Sequence, residues 1–519
     1  MPSSPLAHTT GANSPDTRMA SLHLTKSRTL AGLQCLRRLW LLVHQPPDYE
    51  EPSAGSPLAM GHQIGLHAHK LFPGGVLVAE EPWEHAQAVA RTAALMADAA
   101  VPAVFEAAFV HDDIRIRVDV MERIPAGRGD SWGLREVKSS TRVKDHHLDD
   151  VALQRHVLAG AGVPVTSAEV LHVNTGYLHG AGEVDWPAFF IRVDVAGAIE
   201  ARRGELQPRL PPMRRCLQQD SPPLVEPGSH CHVPDGCEFW DRCTADKPAD
   251  WIAYLPRLAA ARRQELETLG IHAISAIPSD FPLSARQAII RDARTSGQPY
   301  VARGLAGLLQ RFGPPACYLD FEAMMPPVPL YEGTRPYQTL PFQWSLHTVT
   351  AEGTLTHAAF LASGADDPRR AFAETLIAAL DGSELPIVVY SPYEQTRLRE
   401  LAQQMPDLAS SLDAIIARLA DLLPVVRSAV YLREFGFSNS IKAVAPALTP
   451  GFGYDNLPGI ADGSAAAGAF LQIASGGLPP SVQASVRTEL LAYCERDTLA
   501  MVEVHRALVR LSALHADPG

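Results

Sequence analysis

Three cysteines six residues apart, Cys231, Cys237 and Cys243 in Cys-His-Val-Pro-Asp-Gly-Cys-Glu-Phe-Trp-Asp-Arg-Cys, constrain this chain more than any other feature it carries. Thiols spaced so regularly are poorly explained as scattered core residues. The chain has seven cysteines, an odd number that argues against a disulfide framework and for metal ligation. With Cys35, 196 positions upstream of Cys231, the triad makes a set of four thiolates, enough for an iron–sulfur cluster or for zinc. Shared ligation pins the first helix of the chain to the end of its first module. The alternative is a buried Cys35 beside a three-thiol zinc site completed by His230 or His232. Cys216, Cys317 and Cys494 are read as bystanders.

A chain of 519 residues accommodates two to four domains, at about 100–200 residues each. Apolar residues at 46% and charged residues at 20% are those of a folded globular protein, which excludes collagen, coiled coil and wholesale disorder. The net charge of −12 excludes nucleic-acid binding by bulk charge, so any phosphate contact has to be local. Most of the 45 cations are Arg; only six are Lys. No apolar run reaches the ~18 residues of a membrane span, and residues 1–21 read as a disordered leader without the hydrophobic core of a signal peptide. The expectation is a cytosolic protein.

Folded structure is expected from residue 22. Ile114-Arg-Ile-Arg-Val-Asp-Val120 alternates perfectly, a half-buried strand with Asp119 on its charged face. Leu134-Arg-Glu-Val-Lys138 is a second strand, with Glu136 and Lys138 on one side by the two-residue period. A helix over 148–158 carries Gln154. Prolines crowd residues 204–228 and end the core, so the first module spans 22–245 with its cysteines. Residues 246–315 read as a helical connector. A second α/β core runs over 316–513, with strands at 317–323, 342–349 and 386–391 and helices at 368–380, 393–404 and 483–513. No Gly-Lys pair occurs, which argues against a Walker-type ATP motor.

Two further constellations carry chemistry. Phosphodiester cleavage needs carboxylates to hold a divalent cation and a positive charge near the attacking water or scissile phosphate. Asp119 and Glu136 with Lys138 supply these from neighbouring strands, with Glu106 and Gln154 nearby in sequence. In the second core, Asp320 and Glu322 of Tyr318-Leu-Asp-Phe-Glu322 share a strand face, and Tyr493 and Asp497, four apart, share a helical face. With Glu394 of Tyr390-Ser-Pro-Tyr-Glu394 and Asp421, such a set holds two cations about 4 Å apart, the phenol orienting the water. The run Asp145-His-His-Leu-Asp-Asp150 has metal-binding residue types but is read as a capped helix start.

The order Cys, Asp, Glu-x-Lys, Gln and three Cys over residues 24–245 resembles the RecB-type PD-(D/E)XK nucleases with an iron–sulfur staple, as in the CRISPR-associated RecB-like exonucleases and AddB. The resemblance implies a restriction-endonuclease-like fold, catalytic Glu106, Asp119, Glu136, Lys138 and Gln154, and a [4Fe-4S] cluster on Cys35, Cys231, Cys237 and Cys243. In that family the last cysteines are closer together, the Gln motif ends in an aromatic where this chain has Leu158, and the loose counterpart of a common histidine is His67, which by itself reads as a helical surface histidine. Residues 316–513 resemble the DEDD exonucleases of the ribonuclease H-like fold, in the branch whose last motif is Tyr-x-x-x-Asp. That implies Mg²⁺ or Mn²⁺ on Asp320, Glu322 and Asp497, with Glu394 in a place usually held by Asp and Asp421 supporting or replacing it.

The whole chain, with Leu-Gln-Cys-Leu-Arg-Arg-Leu-Trp at 33–40 and Tyr-Cys-Glu-Arg-Asp-Thr at 493–498, is similar to a bacterial family of unknown function that joins these two modules. The resulting expectation is a metal-dependent nuclease acting on DNA single strands or ends in DNA repair, processing or defence, with a separate helicase or other processing protein as its partner. The alternatives are an RNA exonuclease, or a nucleic-acid-binding adaptor with one or both sites degenerate. Arg335 and His347 are read as either nucleic-acid contacts or supports of a long loop.

Overall fold

The computed structural model describes residues 22–48, 55–125, 131–454 and 459–515; the leader expected over 1–21 lies outside them. The chain is mixed α/β and divides into two compact units, one built mainly from residues up to Asp246 and one from Lys247 onward together with the short stretches 52–60 and 178–182. Among the described residues no helix is long and apolar enough to cross a membrane.

The first unit is organised on a mixed sheet of seven strands: β1 (Leu24–Thr25), β2 (Val76–Leu77), β3 (Ala103–His111), β4 (Ile114–Ile124), β5 (Ser131–Lys138), β6 (Val165–Val173) and β7 (Phe190–Asp194). Their order is β2-β3-β4-β5-β6-β7, and β1 pairs with β4 beyond the point where β5 stops. The alternation in β4 settles as expected: Ile114, Ile116, Val118 and Val120 are buried while Arg115, Arg117 and Asp119 are not. Helix α1 (Lys26–Gln34) starts from a cap in which Thr25 Oγ1 accepts from the Arg28 amide at 3.2 Å. It stops at Cys35, whose extended backbone separates it from α2 (Leu36–His44) and sets the thiol at a bend. Helix α3 (Asp145–Gly160) packs Val151, Ala152, Leu153, Val157 and Leu158 into the core, each fully buried, so the Leu158 position is filled as core.

In the second unit β8 (Tyr300–Val301) pairs with β14 (Val430–Tyr431), and five strands form the main sheet. These are β9 (Ala316–Met324), β10 (Leu340–Val349), β11 (Leu355–Leu361), β12 (Ile387–Val389) and β13 (Leu419–Asp421), in the order β11-β10-β9-β12-β13. Residues 247–315, nearly all of the expected connector, cluster with this unit and contribute short helices to it. The central strands are covered on both faces, and the two-residue period sorts their side chains. Cys317, Leu319, Phe321, Trp344 and Leu346 enter a core with the helix Pro368–Ala379 and with α4 (Tyr393–Gln404). Tyr318, Asp320, Gln343, Ser345 and His347 turn the other way, toward α6 (Pro480–Leu514): Tyr318 bonds His505, Gln343 the Leu490 carbonyl and His347 Thr498, while Asp320 meets Cys494. Between β10 and α6 run a short helix, α5 (Ile441–Leu448), and the helix Gly463–Ala474, whose Phe470 stacks on Phe342 at 3.9 Å.

Candidate functional site

Polar side chains gather on the charged face of the first sheet. Strand β5 brings Glu136 and Lys138, β4 brings Asp119, and α3 brings Gln154. Lys138 Nζ lies 2.5 Å from Glu136 Oε1 and 2.6 Å from Asp150 Oδ2. Gln154 Nε2 donates to Glu136 Oε2 at 2.6 Å and to Asp150 Oδ1 at 2.9 Å, and the Val137 amide donates to Asp119 Oδ2 at 2.7 Å. Glu106 lies opposite Asp119, the ladder passing from Phe105↔Val120 to Ala107↔Val118, and it holds φ at +53°. Such a backbone costs a non-glycine residue about 1–3 kcal/mol and persists where the surroundings impose it.

Two members of this site were not singled out in the sequence. Asp150 closes the run read only as a helix start; Asp145 and Asp149 do pair with Arg202, but Asp150 points into the site, a correction to that reading. Lys26, from the first turn of α1, places its ammonium 3.0 Å from Glu136, 3.7 Å from Asp150 and 3.8 Å from Asp119. In the helix Pro57–Ala68, His67 stacks on Trp186 at 4.2 Å.

Electrostatics divides the acids. Burial alone would raise the Glu136 carboxyl, but Lys138 and Lys26 with the Gln154 amide hold it well below the ordinary range. Asp119 is pushed up to about 7 by burial and by Glu136, and Asp150 is raised for the same two reasons. The Gln154 Oε1 atom is buried without a hydrogen-bond partner. Three carboxylates and a bare amide oxygen are hard donors suited to Mg²⁺ or Mn²⁺, and Lys26 stands among them.

The four cysteines of the sequence reading border one cavity, together with His230, Pro227, Phe239 and Trp240. Gln34, at the end of α1, donates to the His230 and Asp235 carbonyls at 2.8 and 3.1 Å, tying the first helix to the cysteine segment. Burial pushes the Cys237 and Cys243 thiols up, and the adjacent Cys231 adds to this in each case. A bound cation would hold them as thiolates. His230 Nε2 lies 3.6 Å from Cys231 Sγ, while His232 packs against Trp240. Cys216 is buried and donates to the Leu36 carbonyl, consistent with a bystander.

The second unit assembles a more acidic centre. Asp320 and Glu322 project from β9 with Cys494 of α6 beside them, their ligand atoms lying within 4.8 Å of one another. Cys494 Sγ is 3.7 Å from Asp320 Oδ2, so a cysteine read as a bystander borders the site. Glu394, buried in the first turn of α4, adds a third carboxylate and takes a 3.4 Å contact from the Ser391 hydroxyl. Asp497 adds the fourth. Tyr493, one turn earlier on α6, and Tyr454 both act on Asp497, whose Oδ1 is buried without a hydrogen-bond partner. Asp421 ends β13; its Oδ1 accepts from the Leu423 amide at 2.9 Å and its charge bears on Glu394.

Burial raises every acid here, and repulsion from neighbouring acids adds to it for all but Asp497: Asp320 and Glu322 lie well above the ordinary range, Glu394 is pushed up to about 7, and Asp497 is raised by burial. Lys442 from α5 lies 4.8 Å over the Tyr493 ring and draws Glu322 and Asp497 partly back down. Four carboxylates this crowded and a bare carboxylate oxygen fit divalent cations. Beside them opens a cleft of about 740 Å³ bordered by Asp320, Glu394, Arg257, Arg286 and Arg427. Arg335 is exposed, but His347 is buried and bonded to Thr498, which takes it out of the set of nucleic-acid contacts expected from the sequence.

Among curated proteins none matches the chain. Residues 317–440, which include Asp320, Glu322, Glu394 and Asp421, match the family described as Domain of unknown function (DUF2779).

Proposed function

We propose that this protein is a metal-dependent nuclease whose principal catalytic centre lies in the second unit. The observation that carries the reading is the crowding of half-buried Asp320 with buried Glu322, Glu394 and Asp497 in one place, without enough cationic side chains among the described residues to neutralise them, beside an Arg-bordered cleft. Like-charged carboxylates buried together are costly unless cations join them. Bound Mg²⁺ or Mn²⁺ would activate water and neutralise charge on the transferring phosphate.

The chain's own residues supply the rest. Asp320, Glu322 and Asp497 hold the cations, with Glu394 as a fourth ligand in the place DEDD exonucleases give to Asp. Tyr493 orients the attacking water, and Lys442 favours the ionised forms of Glu322 and Asp497 against the burial that raises them. Arg286 and Arg427 on the cleft wall hold substrate phosphates. DNA single strands or ends are the favoured substrate and RNA the alternative; the cytosol is the favoured compartment, with a separate helicase as a natural partner.

The first unit is assigned the RecB-like chemistry, with Asp119, Glu136 and Asp150 as metal ligands, Lys138 as transition-state cation and the four cysteines holding an iron–sulfur staple, or zinc. A second reading of this unit is favoured by Lys26: an ammonium among three carboxylates makes a site that binds nucleic acid without cutting until Lys26 moves. Cleavage of DNA and RNA in Mn²⁺ by the full chain, by Lys138→Ala and by Asp320→Ala tests the assignment. Loss in Asp320→Ala alone assigns cleavage to the second unit, loss in Lys138→Ala alone assigns it to the first, and undiminished cleavage by the Lys138→Ala/Asp320→Ala double variant refutes both sites.

A further inference from the structure

We propose that His347, His357 and Glu495 form a zinc site, separate from the acidic centre and from the cysteines. His347 and His357 are direct cross-strand partners in the β10–β11 register, with ring centroids 4.5 Å apart. Glu495 reaches them from α6, its Oε1 3.7 Å from His357 Nδ1. One ligand atom from each of the three lies within 4.8 Å of the others.

A chain of hydrogen bonds assigns the protons. The Thr498 hydroxyl donates to the Glu495 carbonyl at 3.0 Å, so toward its other neighbours it accepts. It therefore takes the His347 Nδ1 proton at 2.8 Å and the Ser345 hydroxyl proton at 2.9 Å. Ser345 Oγ, its own proton spent, accepts from His357 Nε2 at 2.9 Å. The ring nitrogens left over for a metal are His347 Nε2 and His357 Nδ1, the latter facing Glu495. Metal-ligating histidines are typically fixed in this way, the far nitrogen donating to a support that sets the tautomer.

Two imidazole nitrogens and one carboxylate make a borderline donor set that suits Zn²⁺, with a fourth position for water. The side chains of His357 and Glu495 are 25% and 49% exposed, so an ion and its water can enter from solvent. The bound ion would tie β10 and β11 to α6 two residues before Asp497.

The test is zinc titration of the full-length protein, anaerobically reconstituted with iron and held in excess Mg²⁺ so that the cysteines and acidic centre are filled. Wild type should bind one Zn²⁺ equivalent more than His357→Ala or Glu495→Gln, whose exposed positions leave folding intact by circular dichroism. Asp320→Asn should retain that equivalent. Thr498→Val, which keeps volume and removes the acceptor, should weaken it by about 10–100-fold. Equal zinc stoichiometry and affinity in wild type and both ligand variants would overturn the site, as would loss of the equivalent in Asp320→Asn but not in His357→Ala. Binding is read without activity, so the outcome is independent of whether the acidic centre cleaves nucleic acid.

Discussion

Lys26 and Glu136 meet at 3.0 Å across 110 residues of sequence, the ammonium standing where a cation shared by Asp119, Glu136 and Asp150 would also stand. The side chain of Glu136 is 1% exposed, so the contact is made largely out of water. Lys26→Met should therefore act in two directions at once. Without metal it leaves the carboxylates underpaired and should cost on the order of 3 kcal/mol of stability at neutral pH. With Mn²⁺ it should strengthen binding to the first unit, since the competing charge is gone. Urea melts and calorimetry of the variant check both, and weaker Mn²⁺ binding would mean that Lys26 supports the metal rather than displacing it.

Acidity should control metal loading. Burial and neighbouring acids raise Glu394 to about 7 and Asp320 and Glu322 above their ordinary range, burial raises Asp497, and burial with Glu136 raises Asp119 to about 7. A carboxyl whose folded pKa is raised contributes stability that is complete below its unfolded value, about 4, and is lost as pH rises through the folded value. Metal-free protein should thus lose this contribution as pH climbs to about 7. A cation reverses the sign by displacing the protons, so the stabilisation given by Mn²⁺ should grow with pH and its binding should release protons. Melting temperatures with Mn²⁺ and with chelator across this range, with calorimetry in buffers of different ionisation enthalpy, measure both effects; a pH-independent increment contradicts them.

How legible was all this in the sequence? Where chemistry follows local period it was plain: Asp320 and Glu322 by the strand repeat, Tyr493 and Asp497 by the helical one, and α4 at the residues its pattern indicated. Contacts made across long separations left no periodic trace. Lys26 looks like any solvated residue in a first helical turn, and Asp150 was hidden by the capping signal of the residues before it. His357 lies on an edge strand, β11, exposed over most of its length, which carries little hydrophobic pattern. One signal was available. In a chain with only six lysines, Lys26 and Lys138 enter one acidic site and Lys442 the other.

The cysteine cavity makes its own prediction. Anaerobically purified protein should be brown and contain iron, and Cys237→Ala should bleach it and lower its melting temperature by loosening the tie between α1 and the cysteine segment. Stoichiometric zinc without iron would select the zinc alternative. Protein free of both metals, with the variant as stable as wild type, would remove the cysteines from any ligand role.

The most direct test concerns Asp497, whose unpaired buried oxygen lies among the acids of the second unit. In a Lys138→Ala background that silences the first site, full-length protein with Mn²⁺ should degrade an end-labelled single strand. Adding Asp497→Asn should lower single-turnover cleavage by at least about 10²–10³-fold while leaving the circular dichroism spectrum unchanged. If the folded, Mn²⁺-loaded Lys138→Ala protein leaves every DNA and RNA strand intact, or if Asp497→Asn cleaves as fast as its parent, the second unit is not the nuclease centre assigned to it.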